Sequence, residues 1–188
     1  MEEHFMGHLD KLAEVINEII NYQYPAEVAD KTAEYQHPGR KALQKLIYLM
    51  ERNGVDLGFN YSIHYYGPYS SGLDDAIRAL QIQDIVEIKQ DNMSQRIYLR
   101  QNGDNSFAEL NEEEKQRLEE VLRVFGCKKP AELELITTTD FVARELCQSS
   151  EGCEDDEIVE GVKKIKGDKF THSEILQAIS ELRENGYI

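Results

Sequence analysis

No stretch of this sequence stays apolar for the roughly 20 residues that a helix needs to cross a bilayer, so no membrane-spanning segment is expected. The opening Met1-Glu2-Glu3-His4 has neither the basic start nor the apolar run of a secretory signal. Cysteine is scarce. Cys127, Cys147 and Cys153 leave one thiol over in any pairing, and their spacing is unlike the close pairs of zinc sites. No disulfide framework is expected, Cys127 and Cys147 read as small hydrophobes in apolar helices, and a reducing cytoplasm is the compartment that fits. A Gly-rich phosphate loop is missing, since Gly152, Gly161 and Gly167 are scattered. His4 and His8 stand four apart, but Phe5 follows where a metalloprotease has glutamate, and no third ligand is near. No metal and no cofactor are expected. His64 could serve acid–base chemistry, yet no cysteine, serine or carboxylate is tied to it by motif, and an enzyme is not expected.

Positive charge is also short. The chain holds 21 Lys and Arg against 36 Asp and Glu, a formal net charge of −15. Residues 1–100 carry −5, residues 101–160 carry −11 and residues 161–188 carry +1. Nucleic-acid binding draws most of its affinity from cations that neutralise phosphates, so the middle of the chain would repel DNA. Acid of this kind either keeps a protein soluble or meets a basic protein partner.

What the chain has is helical pattern. Its 188 residues, 40% hydrophobic and 30% charged, suit one globular domain or two small packed ones. Leu9, Leu12, Val15, Ile16 and Ile19 recur at three- and four-residue steps and predict a helix over 8–21. Tyr24-Pro25 and the stretch through His37-Pro38-Gly39 interrupt it. A second helix is expected over 40–52, stopped by Asn53-Gly54. Phe59, Tyr61, Ile63 and Tyr65 then alternate with polar residues as a short strand, turned by Tyr66-Gly67-Pro68-Tyr69. Ser71 with Asp74 reads as a capping box that opens a third helix. Ile85–Ile88 and Arg96–Leu99 read as a β-hairpin across Asp91-Asn92. In the second half, Asn111 with Glu114, Pro130, and Thr171 with Glu174 mark helix starts, and 148–156 reads as a loop.

The expected class is α+β and mostly helical. An N-terminal helix and linker (1–39) precede a winged-helix-like unit with a β-hairpin wing (40–104). A helical C-terminal half (105–188) is expected to pack on it. One internal similarity supports a second helix-turn-helix-like unit over 157–188. Ser71, Ala76, Ile77, Leu80, Ile85 and Val86 recur as Ser173, Ala178, Ile179, Leu182, Tyr187 and Ile188 at a single offset.

The segment that stands out is aromatic: Phe59, Tyr61, Tyr65, Tyr66 and Tyr69, with Gly67-Pro68 between. Tyrosine suits interfaces because its ring is apolar and its hydroxyl can be satisfied. Tyr61 and Tyr65 are expected in the core, and Tyr66 and Tyr69 at the surface. Lys45-Leu46-Ile47-Tyr48-Leu49-Met50, Gly54 and Tyr65-Tyr66-Gly67-Pro68-Tyr69-Ser70 together resemble the YwgA family and, more distantly, the Panacea (SocA-like) antitoxin domain. Leu133-Glu134-Leu135-Ile136 and Phe170-Thr171 with Glu174-Ile175 look YwgA-like too. Tyr69 stands where the Panacea pattern usually has a small aliphatic residue. Panacea-type proteins bind toxins or deliver them to a protease. The resemblance therefore implies a non-enzymatic protein-binding module, antitoxin- or proteolysis-adaptor-like, with Tyr65, Tyr66, Gly67, Pro68 and Tyr69 as the contact and a toxin or other basic protein as partner. The other reading is a winged-helix DNA-binding regulator that uses Lys89, Arg96, Arg100, Lys163, Lys164, Lys166 and Lys169. Specific DNA binding is not expected, because Asp74 and Asp75 occupy the first turn of the would-be recognition helix.

Overall fold

The computed structural model describes residues 2–23, 38–91, 94–100, 107, 110–147 and 154–188, without the side chains of 2–6 and 91. Tyr24-Pro25, His37, Asn92, Cys153, the side chain of His4 and most of the 148–156 loop lie outside them. The elements in chain order are α1 (Glu2–Gln23), α2 (Arg40–Arg52), β1 (Ser62–His64), β2 (Gly67–Tyr69), α3 (Ser71–Ile82), β3 (Val86–Asp91), β4 (Ser94–Leu99), α4 (Glu112–Phe125), α5 (Pro130–Cys147), α6 (Asp155–Lys166) and α7 (His172–Glu184). The mostly helical α+β class is as expected. No described helix is long and apolar enough to cross a membrane.

These elements fall into two compact units, Met1–Asn60 with Ser70–Cys127, and Tyr61–Tyr69 with Lys128–Ile188. The grouping runs across the sequence boundaries at 39/40 and 104/105. The first unit takes in α1 and α4, and the β1–β2 segment belongs with the C-terminal helices.

In the first unit, Leu9, Leu12, Ile16 and Ile19 of α1 are buried as their spacing requires. α2 is buried on every side from Ala42 to Met50. Gln44 explains how α3 begins. Its amide donates to the Ser70 carbonyl at 2.9 Å and accepts from the Ser70 N–H at 3.1 Å. So held, Ser70 is extended (φ −115°, ψ 119°) and its hydroxyl caps the Leu73 N–H. The expected Ser71–Asp74 capping box is therefore corrected by one residue. Asp74 is buried and accepts from Arg40 Nε at 2.7 Å instead of facing outward from the first turn. β3 and β4 form the expected antiparallel hairpin, with Ile88 opposite Ile97. The Ile97 N–H also reaches the Pro38 carbonyl at 3.1 Å, and Gly39 bridges to Arg96. β1 and β2 do not join this hairpin but form a separate two-stranded sheet. Asn111 and Glu114 cap α4 reciprocally, and Lys11 of α1 pairs with Glu114.

The second unit is organised on α5, which packs against α6, α7 and β2. Residues 133–140 are buried throughout. The Thr137 and Thr138 hydroxyls donate back to the Leu133 and Glu134 carbonyls at 2.7 and 2.6 Å, which satisfies polar groups inside a covered helix. α6 approaches closely because Gly161 has no side chain: a Cβ there would lie 2.5 Å from Val142 Cγ1. Arg183 of α7 grips both carboxylate oxygens of Asp155, at 3.1 and 2.5 Å.

The internal similarity has a physical counterpart at the helix ends. In α3 the Ile85 N–H bonds the Leu80 carbonyl at 3.0 Å and the Asp84 N–H bonds that of Gln81 at 3.1 Å. In α7 the Tyr187 and Gly186 N–H groups bond the Leu182 and Arg183 carbonyls at 2.9 and 3.0 Å. Both are Schellman endings, with Leu80 and Leu182 fully buried. Asp84 (φ 65°) fills the left-handed position that Gly186 (φ 73°) fills in the other. The starts do not match: the caps are Ser70 and Thr171, not Ser71 and Ser173.

Cysteine needs a correction. Cys147 is disulfide-bonded, and Cys127 is a free, exposed thiol instead of a buried hydrophobe. Spacing along the chain argues against paired metal ligands but not against a disulfide at Cys147. The scarcity of cysteine therefore no longer argues for a reducing compartment.

Candidate functional site: the tyrosine hairpin

β1 and β2 pair antiparallel, with Ser62 opposite Tyr69, Ile63 opposite Pro68 and His64 opposite Gly67. Tyr65 and Tyr66 are thus the tip of a tight hairpin. The turn comes earlier than the alternation predicts, and Gly67-Pro68-Tyr69 is its return strand. Gly67 sets this register. Its φ of 89° is the left-handed conformation that lets a short loop match the strand twist, and glycine reaches it without a Cβ clash. Pro68 is tolerated because a two-stranded sheet leaves its missing N–H on an edge.

Register decides exposure. Tyr65 is 73% exposed and Tyr66 47%, their rings meeting edge to face at 5.0 Å between centroids. Gly67 and Pro68 are buried on the side where β2 meets α5. Tyr69 is half-buried, its ring 5.0 Å from that of exposed His64. The expectation is met for Tyr66. For Tyr65 it is corrected from core to surface, and Tyr69 is less exposed than expected. With the turn at 65–66, the tip residues project outward and those on the return strand face α5.

Beneath the tip lies a buried charge cluster. Lys166 Nζ donates to the Tyr65 carbonyl at 2.5 Å and to Glu134 Oε1 at 2.9 Å. Lys169 Nζ donates to both Glu134 oxygens, at 2.7 and 2.8 Å, and sits over the rings of Tyr66 (5.8 Å) and Phe170 (5.4 Å). Only 2% of the Lys166 side chain and 9% of the Glu134 side chain are exposed. Burial pushes the Glu134 carboxyl up, but hydrogen bonds from Lys169 and Lys166, and their charges, outweigh it and hold it below the usual glutamate value. Burial holds Lys166 below the usual lysine value, opposed by Glu134 and reinforced by the Lys169 charge. Such a cluster contributes little net stability, since desolvation offsets attraction. It fixes position, tying the hairpin tip to α5 and α6.

The chain is 29% identical over 154 residues to the uncharacterized protein YwgA of Bacillus subtilis (strain 168), an alignment that spans 78% of this chain and 87% of YwgA. The chain is YwgA-like. No family model matches it. The YwgA-like stretches read from the sequence divide between the units: Lys45–Met50 and Gly54 belong to the first, whereas Glu134 on α5, Phe170 beside Lys169 and the hairpin meet in the second.

In this YwgA-like chain the cations of the DNA reading are distributed otherwise. Arg100 lies 2.7 Å from Asp84 and 3.7 Å from Glu87, and Lys89 lies 3.8 Å from Glu87 and 4.8 Å from the Tyr98 ring centroid. Arg96 is half-buried on β4. Lys163 and Lys164 are exposed on α6, whereas Lys166 is buried beneath the hairpin, away from any phosphate. The hairpin cations belong to the first unit and the lysines to the second. Among the described residues no group of three side chains could hold a metal ion. The sequence places Glu134 in a YwgA-like stretch but assigns it no role. Its signal there is a lone carboxylate between Leu133 and Leu135, which is consistent with burial only when a partner is known.

Proposed function

We propose that this protein is a non-enzymatic protein-binding module, antitoxin- or proteolysis-adaptor-like, which engages its partner through the tip of the β1–β2 hairpin. One observation carries the reading: two adjacent exposed tyrosines sit on a tip whose backbone is held from below by a buried ammonium. Aromatic side chains on a fixed backbone make good anchors, because little conformational freedom is lost on binding. Gly67 and Pro68 shape the tip, and Tyr69 supports it from the return strand. The acid surplus of residues 101–160 offers a field that would draw a basic partner such as a toxin toward the molecule.

The order α2, α3, β3–β4 favours the DNA-binding reading, since it is the layout of a winged helix. Against it, the hairpin cations Lys89 and Arg100 are already paired with carboxylates. No sequence-dependent, salt-resistant mobility shift of duplex DNA is expected, and observing one would promote that reading.

The decisive experiment is affinity capture from the host with wild-type protein and with Tyr65→Ser/Tyr66→Ser of equal thermal stability. A partner held by the wild type and lost by the variant supports the proposal. Equal capture by both removes the hairpin from the interface.

A further inference from the structure

We propose that the hairpin tip receives an acidic segment of the partner protein, one carboxylate pairing with Lys169 while apolar side chains of the segment lie against Tyr65 and Tyr66. The inference rests on the protein-binding reading above and names the chemistry of what binds. Its ground is an unbalanced cluster. Glu134 is one carboxylate shared by two ammoniums, Lys166 and Lys169, so a positive charge is left over under the tip. Lys166 cannot offer it outward, being buried against the Tyr65 carbonyl. Lys169 can, because its side chain is 38% exposed. An ammonium has three donors, and those directed at the two Glu134 oxygens leave a third. The same ammonium sits over the Tyr66 ring, so an anion arriving there meets the aromatic surface and the charge together.

Neighbouring charge agrees. Lys163, one helical turn before Lys166, is exposed on the same side of α6. From Glu160 to Lys169, with Glu134 added, four lysines face three carboxylates. This is a positive stretch in a chain of −15. A short acidic peptide suits it better than a nucleic acid. A long polyanion must be neutralised at many phosphates, and it would meet the repulsion of the remaining acid surface.

The test is fluorescence anisotropy on the full chain with three labelled probes of similar length. These are a peptide alternating glutamate with leucine, its counterpart alternating lysine with leucine, and an oligothymidylate. The glutamate peptide should bind with saturation in a manner that depends on Lys169, whereas any binding of the lysine peptide to the acid surface should not depend on it. Lys169→Met should weaken glutamate-peptide binding by about tenfold, or about 1.4 kcal/mol, and Lys169→Arg should restore it. Should Lys169→Met fail to fold, Lys163→Gln keeps the test, with a severalfold loss expected at unchanged thermal stability. Tyr65→Ser/Tyr66→Ser should also weaken the glutamate peptide. Three outcomes would overturn the inference: no saturable binding of the glutamate peptide, glutamate-peptide binding unchanged in Lys169→Met, or tighter binding of the oligothymidylate at the same residues. The capture experiment above is independent of these probes. Tip-dependent capture without acidic-peptide binding would remove only this inference, whereas tip-independent capture would remove the reading beneath it.

Discussion

Tyr48 and Tyr65 carry the same side chain in opposite circumstances, and the contrast separates what holds this protein together from what it presents. Tyr48 is 1% exposed in the middle of α2. Its replacement by alanine should cost roughly 3–5 kcal/mol, as for other large buried aromatics. Tyr65→Ala removes a ring that stands mostly in water and should leave stability within about 0.5 kcal/mol of wild type. Denaturant midpoints of the two variants check this, and a large loss in Tyr65→Ala would return that ring to the core. Tyr69 falls between, being half-buried beside His64. It is a poorer probe of binding than its place in the sequence promised. A backbone effect can be isolated at Gly186, where a Cβ would meet nothing within 4 Å yet φ is 73°. Gly186→Ala should therefore cost about 1 kcal/mol through left-handed strain alone, measured as a lower melting temperature. An unchanged melting temperature would mean that the α7 ending relaxes.

At the level of elements, the latch under the hairpin gives the sharpest expectation. Lys166→Met leaves Glu134 with Lys169, whereas Glu134→Leu leaves Lys166 buried, among the described residues, with the Tyr65 carbonyl alone. The second should be the more damaging, on the order of 3–5 kcal/mol. The double variant Glu134→Leu/Lys166→Met should cost less than the sum of the two, because no buried charge is stranded. Additive losses in a double-mutant cycle would mean that the two groups do not act together. Hydrogen exchange at the 64–67 amides should rise in Lys166→Met if the ammonium fixes the tip. The latch was not legible in the sequence, and the reason is distance: Glu134 and Lys166 are brought together only by the packing of α5 on α6. Spacing from Val159 and Val162 does put Lys166 on the apolar side of α6, but it cannot name the carboxylate that meets it there. The Ser70 cap was missed for a similar reason, since Gln44 fixes it from α2. Where the signals are local, reading was accurate. α2 ends at Arg52 before Asn53-Gly54, and Asn111 with Glu114 and Thr171 with Glu174 cap α4 and α7 as their spacing requires. The β1–β2 register lies between these cases. Alternation predicts an extended segment there, but only the φ of Gly67 selects the turn.

For the whole molecule, charge sets how stability should follow pH. At pH 7 the chain carries −15 and repels itself, and the repulsion falls as pH approaches the isoelectric point of about 4.7. Glu18 adds to this trend. Burial, and then the charges of Glu14 and Glu119, push its carboxyl above the ordinary value of 4.5, with Lys115 opposing. The folded state thus binds that proton more readily than the unfolded state, and stability rises as pH falls through the raised value toward 4.5. Glu134 acts in the opposite sense. Its folded value lies below 4.5, so the unfolded chain takes up the proton first, and the stability it contributes is lost as pH falls from 4.5 through the folded value. The two together predict a stability maximum in mild acid, near the ordinary glutamate value, instead of at neutrality. Urea midpoints measured at constant ionic strength from neutral pH into the acid range would trace it. Glu18→Gln should flatten the rise on the neutral side. Glu134→Gln should lower stability at neutral pH and make the fall on the acid side shallower. An acid limb equally steep in Glu134→Gln would show that protonation of other carboxylates, and not the release of the hairpin latch, governs acid unfolding.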